Sequence, residues 1–283
     1  MKLNSIKKLI VKGFNCLGFE IKRKKIEEKP KGLHLYSHLD EQSIICNYLK
    51  RIDSKNKHCV DIGASDGISM SNTFALFRAG WQGLAVECDS EKFSKLALIY
   101  KKLTHVNLSR CKITPDNVVD LLKANSVPVD FGFLNLDIDG YDYFILKEIL
   151  KSFRPSLLCI EINEKIPPPL KFTVKYNSDY IWATDHFYGQ SISQLYELTS
   201  KHNYDLVKLH YNNAFLIPKE INFSHSLTPK EAYEKGYLRQ LDRKKKFPWN
   251  NNVENLLYLS PTEALEFVNK YFEKYRGKYI LSL

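Results

Sequence analysis

Nine consecutive residues, Cys59-Val60-Asp61-Ile62-Gly63-Ala64-Ser65-Asp66-Gly67, change abruptly from apolar and β-branched to small. The first part suits a buried strand. The second suits a tight turn in which Gly63 and Gly67 can take positive φ and let a ligand approach the backbone. A helical pattern from about Ile68 to Ala79 follows, so the expected unit is strand, turn and helix, with the helix N-terminus facing the ligand. Twenty residues past Gly67, a second strand-like run, Gly83-Leu84-Ala85-Val86, ends in Glu87. A carboxylate at the tip of the second strand of a βαβ unit suits the two hydroxyls of a ribose. The turn lacks the G-x-G-x-x-G spacing of dinucleotide sites, and Asp61 and Asp66 would repel a pyrophosphate. The expected ligand is therefore a nucleoside without phosphates, and a positively charged one is compatible.

The run Asp61 to Gly67 resembles motif I of class I S-adenosylmethionine-dependent methyltransferases, in the D-I-G-A-N-x-G form of the FkbM-like family. Three further stretches resemble that family in the same order. They are Ala85-Val86-Glu87-Cys88 at the ribose-binding strand end, Asn135-Leu136-Asp137-Ile138-Asp139-Gly140 in place of I-D-V-E-G, and Arg154-Pro155 through Glu161-Ile162-Asn163 on the next strand. The resemblance covers roughly residues 45–220 and is silent on the substrate. It implies that Gly63, Ala64, Ser65 and Gly67 contact the amino-acid part of S-adenosyl-L-methionine and that Glu87 holds the ribose. It also implies that Cys88, Lys112 and Ile113 flank the adenine and that Asp61 and Asp137 belong to the same cofactor site. Asp61 has a second reading, as a carboxylate that accepts backbone N–H groups and shapes the turn.

Methyl transfer from a sulfonium needs little covalent work from the protein. The acceptor must lie in line with the C–S bond, and a hydroxyl acceptor must lose its proton. Two sets of residues could serve. Asp137 and Asp139 fall at the tip of the fourth expected strand, and Glu161 and Asn163 at the tip of the fifth. Asp137, Glu161 and Asn163 are hard oxygen ligands suited to Mg²⁺, a placement similar to that in catechol and macrolide-sugar O-methyltransferases. Alternatively Asp139 caps the following helix, and Asp137 and Glu161 only touch cofactor and substrate. Asp139 also departs from the family, which has Glu before that glycine. The second set is His186 in Trp182-Ala183-Thr184-Asp185-His186-Phe187-Tyr188, a general base near neutrality if Asp185 orients it, or a structural histidine. Tyr176, Trp182, Phe187 and Tyr188 could offer faces on which a sugar stacks, or pack the loop.

Alternating segments position these residues. Strands are expected near 59–63, 83–87, 106–110, 130–136 and 156–161, with helices near 68–79, 90–102, 115–124 and 141–151. An irregular stretch spans 164–190. A helix from Ser191 to His202 then leads to strands Tyr204–His210 and Ala214–Pro218, joined by a short turn as an antiparallel hairpin. The fold class expected is α/β, a Rossmann-like doubly wound seven-stranded methyltransferase sheet with an antiparallel last strand and helical additions at both ends. The domain reading is a basic amphipathic tail over 1–31, a methyltransferase domain over 32–220 and a helical appendage over 221–283.

At 283 residues the chain can bury a sizeable core. The net charge of +10 sits mostly in residues 1–31, where ten Lys and Arg meet three Glu; the remainder holds 32 basic and 29 acidic residues. The body lacks the aromatic-interleaved basic stripes that single-strand binders use, and no Asn/Asp-Pro-Pro-Tyr/Phe motif follows the fourth strand, so nucleic acid is not the expected partner. Leu3, Ile6, Ile10, Phe14 and Leu17 recur at helical spacing among lysines, so residues 1–25 could lie on an anionic membrane surface. The same helix could instead pack on the body or on a second copy in a homo-oligomer. The six cysteines show no C-x-x-C pair, which fits a reducing, cytoplasmic compartment, with peripheral contact at the inner membrane surface through the tail. The expected activity is O-methylation of a sugar, glycan or glycolipid hydroxyl. The alternatives are N-methylation of an amine or protein side chain, and a non-catalytic binding subunit on the same fold.

Overall fold

The computed structural model describes residues 35–52 and 54–283. The basic tail over 1–31, its membrane reading and Cys16 lie outside the described residues. Among these residues no helix is long and apolar enough to cross a membrane.

Seven strands form one sheet: β1 (His58–Ile62), β2 (Gln82–Glu87), β3 (Val106–Arg110), β4 (Phe133–Leu136), β5 (Leu157–Glu161), β7 (Tyr204–His210) and β8 (Asn213–Pro218). The spatial order is β3-β2-β1-β4-β5-β8-β7, with the first five strands parallel and β8 antiparallel to both of its neighbours. This is the expected fold class. Side chains of β1, β4 and β5 are covered on both faces, which is why these strands read as near-continuous apolar runs rather than as alternating ones. The chain order reverses between β2 and β4 on either side of β1, so a crevice opens at the carboxyl ends of β1 and β4.

Helices α1 (Glu41–Ile52), α2 (Phe74–Arg78), α3 (Ser90–Tyr100), α4 (Val118–Ala124), α5 (Asp142–Ser152) and α6 (Ile192–Lys201) pack against the sheet or edge it. The helix expected over 68–79 is reduced to α2. Asp66 accepts from the N–H groups of Ile68 and Ser69 at 3.0 and 2.8 Å and from the Ser69 hydroxyl. Met70 takes φ +56°, and Ser71 Oγ accepts from Phe74 N. Short polar side chains that bond locally compete with the helix for its first turn. Consequently the helix that follows the glycine turn starts only at Phe74, seven residues past Gly67. The helix expected from Pro115 starts at Val118, because Asn117 Oδ1 takes the Thr114 N–H and holds a turn there.

The stretch 164–190 is more ordered than its composition suggests. It contains β6 (Lys171–Val174), which pairs antiparallel with β9 (Tyr279–Ser282) in a separate two-stranded ribbon. The segment 221–283 consists largely of short helices. Thr228 with Glu231 and Ser260 with Glu263 form capping boxes on two of them. Its Tyr233, Tyr237 and Phe247 join the main core, while Val268 and Phe272 pack with Phe172 and Phe187. Burial of such side chains is worth roughly 1.5–3 kcal/mol each, so this segment is tied to the body by apolar packing. Its basic cluster is largely paired: Arg243 and Lys244 reach Glu254, and Lys246 reaches Asp242.

Candidate active site

The glycine turn hangs from β2, with the N–H groups of Gly63 and Ala64 both donating to Val86 O at 3.0 and 2.9 Å. Gly63 has φ +91°, and a Cβ there would lie 1.8 Å from the Asp137 carbonyl oxygen, so the turn and the tip of β4 approach as only glycine permits. Glu87 is buried, and its two oxygens are fixed by the N–H groups of Ser65 and Asp89, each at 2.8 Å. Each carboxylate oxygen keeps a second lone pair, so this clamp leaves acceptors for a pair of hydroxyls. Asp61 lies beneath the turn. It accepts from Thr73 Oγ1 at 2.6 Å and Asn135 Nδ2 at 2.9 Å rather than from the turn's backbone, which corrects that reading. Burial pushes its carboxyl up, and these two side chains oppose the shift.

On the adenine side of the expected cofactor site, Cys88 is exposed and Ile113 is buried. Lys112 does not stand free: its ammonium donates to the carbonyls of Ser178 and Tyr180. Tyr141, which sequence reasoning passed over, donates to Ile113 O at 2.8 Å and carries Tyr176 and Tyr180 edge-on, with centroids 5.0 and 6.2 Å away. Residues 176–180 thus close over the tips of β3 and β4.

Beside them lies an acidic cluster. Asp142, the first residue of α5, accepts from Ile138 N at 2.9 Å and Gly140 N at 3.0 Å and so holds the loop after β4. The capping reading of Asp139 is corrected: the N-cap residue of α5 is Tyr141, and no side chain caps that end. Asp139 takes φ +52°, and ligand oxygens of Asp137, Asp139 and Glu161 all lie within 4.8 Å of one another. Burial, with Asp139 and Asp142 adding repulsion, pushes Asp137 up to about 8. Burial, then Asp142, pushes Asp139 up to about 6, against the attraction of Lys92 and Lys165. Glu161 is raised well above its ordinary value by burial and then by Asp137. Asn163, the expected amide ligand, lies just after β5. It is fully buried, and its amide donates to the carbonyls of His186 and Tyr188, each at 2.9 Å, so it braces that loop.

These shifts fix the sign of a pH effect. The folded protein keeps protons on Asp137 and Asp139 that an unfolded chain releases near pH 4. The contribution of these two carboxyls to stability is therefore expected to fall as pH rises from about 4 to about 8. In urea unfolding at pH 5 and pH 8, Asp137→Asn should gain stability relative to the wild type on going to pH 8. Equal slopes in the two proteins would contradict the assignment.

His186 turns away from this cluster. Its Nε2 pairs with Asn252 Oδ1 at 3.0 Å, its ring lies on Tyr271, and burial followed by Lys165 lowers its pKa. Asp185 does not orient it: Asp185 takes Lys274 at 3.0 Å, Tyr275 at 2.5 Å and the Phe187 N–H. Among the described residues no hydrogen bond links His186 to Asp137, Asp139 or Glu161, so the His186–Asp185 pair is corrected to a tie with the C-terminal segment. Phe187 and Tyr188 are buried and pack the loop, whereas Tyr176 and Trp182 are half-buried. A buried network beyond β5 has no signature in the sequence. Lys165 Nζ meets Glu164 Oε1 at 3.1 Å and Tyr188 Oη at 2.8 Å, and Tyr188 and Asn250 also bind Glu164.

No protein-family model matches the chain, and no curated protein matches it. Among solved structures it is similar to an O-methyltransferase from Bacillus cereus in complex with SAH, at 14% identity over 65% of this chain and 82% of that one, with a TM-score of 0.44. It is also similar to the N-terminal domain of EvdMO1 in the presence of SAH and D-fucose, at 12% identity over 64% and 83%, with a TM-score of 0.43. A SAM-dependent methyltransferase from Aquifex aeolicus follows at 12% identity over 62% and 89%, with a TM-score of 0.36. At such identities and scores these similarities say nothing of what this chain does. The strand order stands on its own hydrogen bonds.

Proposed function

We propose that the protein is an S-adenosylmethionine-dependent O-methyltransferase acting on a hydroxyl of a sugar, glycan or glycolipid precursor. The observation that carries this reading is the buried Glu87, clamped by Ser65 and Asp89 at the tip of β2 and facing a crevice whose far side holds Asp137, Asp139 and Glu161. Gly63, Ala64, Ser65 and Gly67 bound the amino-acid end of the cofactor, and Cys88 and Ile113 border its adenine. Asp139, raised to about 6, is mostly ionised at neutral pH yet more basic than an ordinary carboxylate, which suits it to take a hydroxyl proton. Asp137, at about 8, is mostly protonated and positions rather than abstracts.

The three carboxyl groups also fit a divalent cation, because their oxygens converge from two strand tips and, after burial, their mutual repulsion raises Asp137 and Glu161. Asp137, Asp139 and Glu161 would hold Mg²⁺, which supplies Lewis-acid polarisation of a hydroxyl. The acceptor is proposed to be a carbohydrate rather than nucleic acid, since the body is nearly neutral and its basic cluster is paired.

The test is transfer of labelled methyl from S-adenosylmethionine to nucleotide-sugars and lipid-linked glycans, with Mg²⁺ or with chelator. Label on a sugar oxygen is expected, with Asp139→Asn slower by roughly 10²–10⁴-fold. Loss of activity in chelator would favour the cation, and unchanged activity would favour Asp139 as base. Label on nitrogen, insensitive to Asp139→Asn, would replace this reading with N-methylation.

A further inference from the structure

We infer that the cleft between residues 175–183 and 275–278 is a binding subsite for an anionic sugar, a hexose carrying a phosphate or carboxylate. The inference deepens the proposed function and rests on it for the identity of the acceptor. The cleft holds about 320 Å³, within the range of small-molecule sites. Its walls grow from the end of the β6–β9 ribbon, outside the seven-stranded sheet that forms the cofactor crevice.

Its aromatic lining is held rigidly. The Tyr275 ring stacks on Phe187 at 3.9 Å and 12°, and its hydroxyl donates to Asp185. Tyr180 donates to Phe187 O at 2.7 Å, and Tyr176 rests edge-on against Tyr141. Fixed, half-exposed rings suit the C–H faces of a hexose, because little side-chain freedom is lost on binding.

Charge supplies the second half of the argument. Lys175 N donates to Lys278 O at 2.9 Å, which brings two exposed lysines together at the end of the ribbon. Among the described residues neither ammonium has an ion-pair or hydrogen-bond partner, whereas Lys165, Lys171 and Lys274 are each paired with a carboxylate. Asp179 is the one carboxylate on the lining, so the lining side chains sum to +1 and favour an anion.

The location fits an acceptor. The inner wall, Tyr180, packs over Gly140, where a Cβ would lie 3.0 Å from its ring. Gly140 directly follows Asp139, so a sugar on the rings would extend outward from the carboxylate cluster.

The experiment is calorimetric titration of the full chain, saturated with S-adenosylhomocysteine, using glucose 6-phosphate, glucuronate, glucose and inorganic phosphate as probes. Glucose 6-phosphate and glucuronate should bind about tenfold or more tightly than either glucose or phosphate alone. Lys175→Met combined with Lys278→Met should remove about tenfold of that preference and leave S-adenosylhomocysteine affinity unchanged. The proposal is overturned if glucose binds as tightly as glucose 6-phosphate, if phosphate alone does, if the double variant keeps the preference, or if no sugar binds. Failure of S-adenosylhomocysteine to bind would contradict the methyltransferase reading instead, and the same titrations on the free protein would still decide the subsite.

Discussion

Gly63→Ala is expected to abolish measurable binding of S-adenosylhomocysteine and to lower unfolding stability by roughly 2–6 kcal/mol. Two separate costs add at this position. A φ of +91° is strained for any residue with a Cβ, and the new carbon would sit 1.8 Å from the Asp137 carbonyl. The backbone must move, and what moves is either the turn that faces the cofactor or the tip of β4 that carries Asp137. A built-in comparison separates the two costs. Gly80 has φ +88° but nothing within 4 Å of where a Cβ would stand, so Gly80→Ala should cost only the conformational strain, about 1–3 kcal/mol. Urea unfolding of both variants measures the difference. Equal costs would show that the close approach of turn and β4 is absent in solution.

Lys165→Met should destabilise the protein by about 3–5 kcal/mol at neutral pH, because it leaves Glu164 buried without its counter-charge. Burial pushes the Glu164 carboxyl up, but Lys165, followed by Asn250, outweighs it and holds the group below its ordinary value. A depressed carboxyl contributes stability that is present at neutral pH and lost as pH falls through its folded value. The penalty of Lys165→Met should accordingly shrink toward pH 4, where Glu164 can take up a proton in the variant. Lys165→Met with Glu164→Leu should recover much of the loss, since an apolar pair of similar volume avoids the unpaired charge. Guanidinium unfolding of the two variants at pH 7 and pH 4.5 checks this. A penalty equal at both pH values would mean that the pair packs as apolar bulk and carries no charge interaction. The network also reaches the site, because Tyr188 joins it through its hydroxyl and is held through its carbonyl by Asn163.

The cofactor half of the site is legible because its residues lie close in sequence and obey local rules. An apolar run before Gly63 and another ending at Glu87 announce two buried parallel strands, and the structure aligns them with Asp61 opposite Ala85 and Ile62 opposite Val86. The hairpin of β7 and β8 announces itself in the same way through its short turn. The helix after Gly67 is shorter than its apolar spacing suggests, because the side chains of Asp66 and Ser71 capture the backbone first. The acceptor half is poorly legible for a different reason. The partner of β6 is β9, over a hundred residues later, and a four-residue strand carries too little pattern to declare itself alone. His186 stands out by its neighbours in sequence, yet Asn252 and Tyr271 decide its orientation from far along the chain. Asn163 shows in the sequence only as a residue past a strand tip, whereas its amide nitrogen is spent on the carbonyls of His186 and Tyr188, more than twenty residues later.

The central claim, that this crevice binds S-adenosylmethionine through Glu87, is tested most directly by calorimetric titration with S-adenosylhomocysteine on the wild type and on Glu87→Ala. The account predicts micromolar binding to the wild type, about −8 kcal/mol, and its loss in the variant while thermal unfolding shows the variant still folded. Wild-type protein that does not bind, or a folded Glu87→Ala protein that binds as tightly as the wild type, would contradict it.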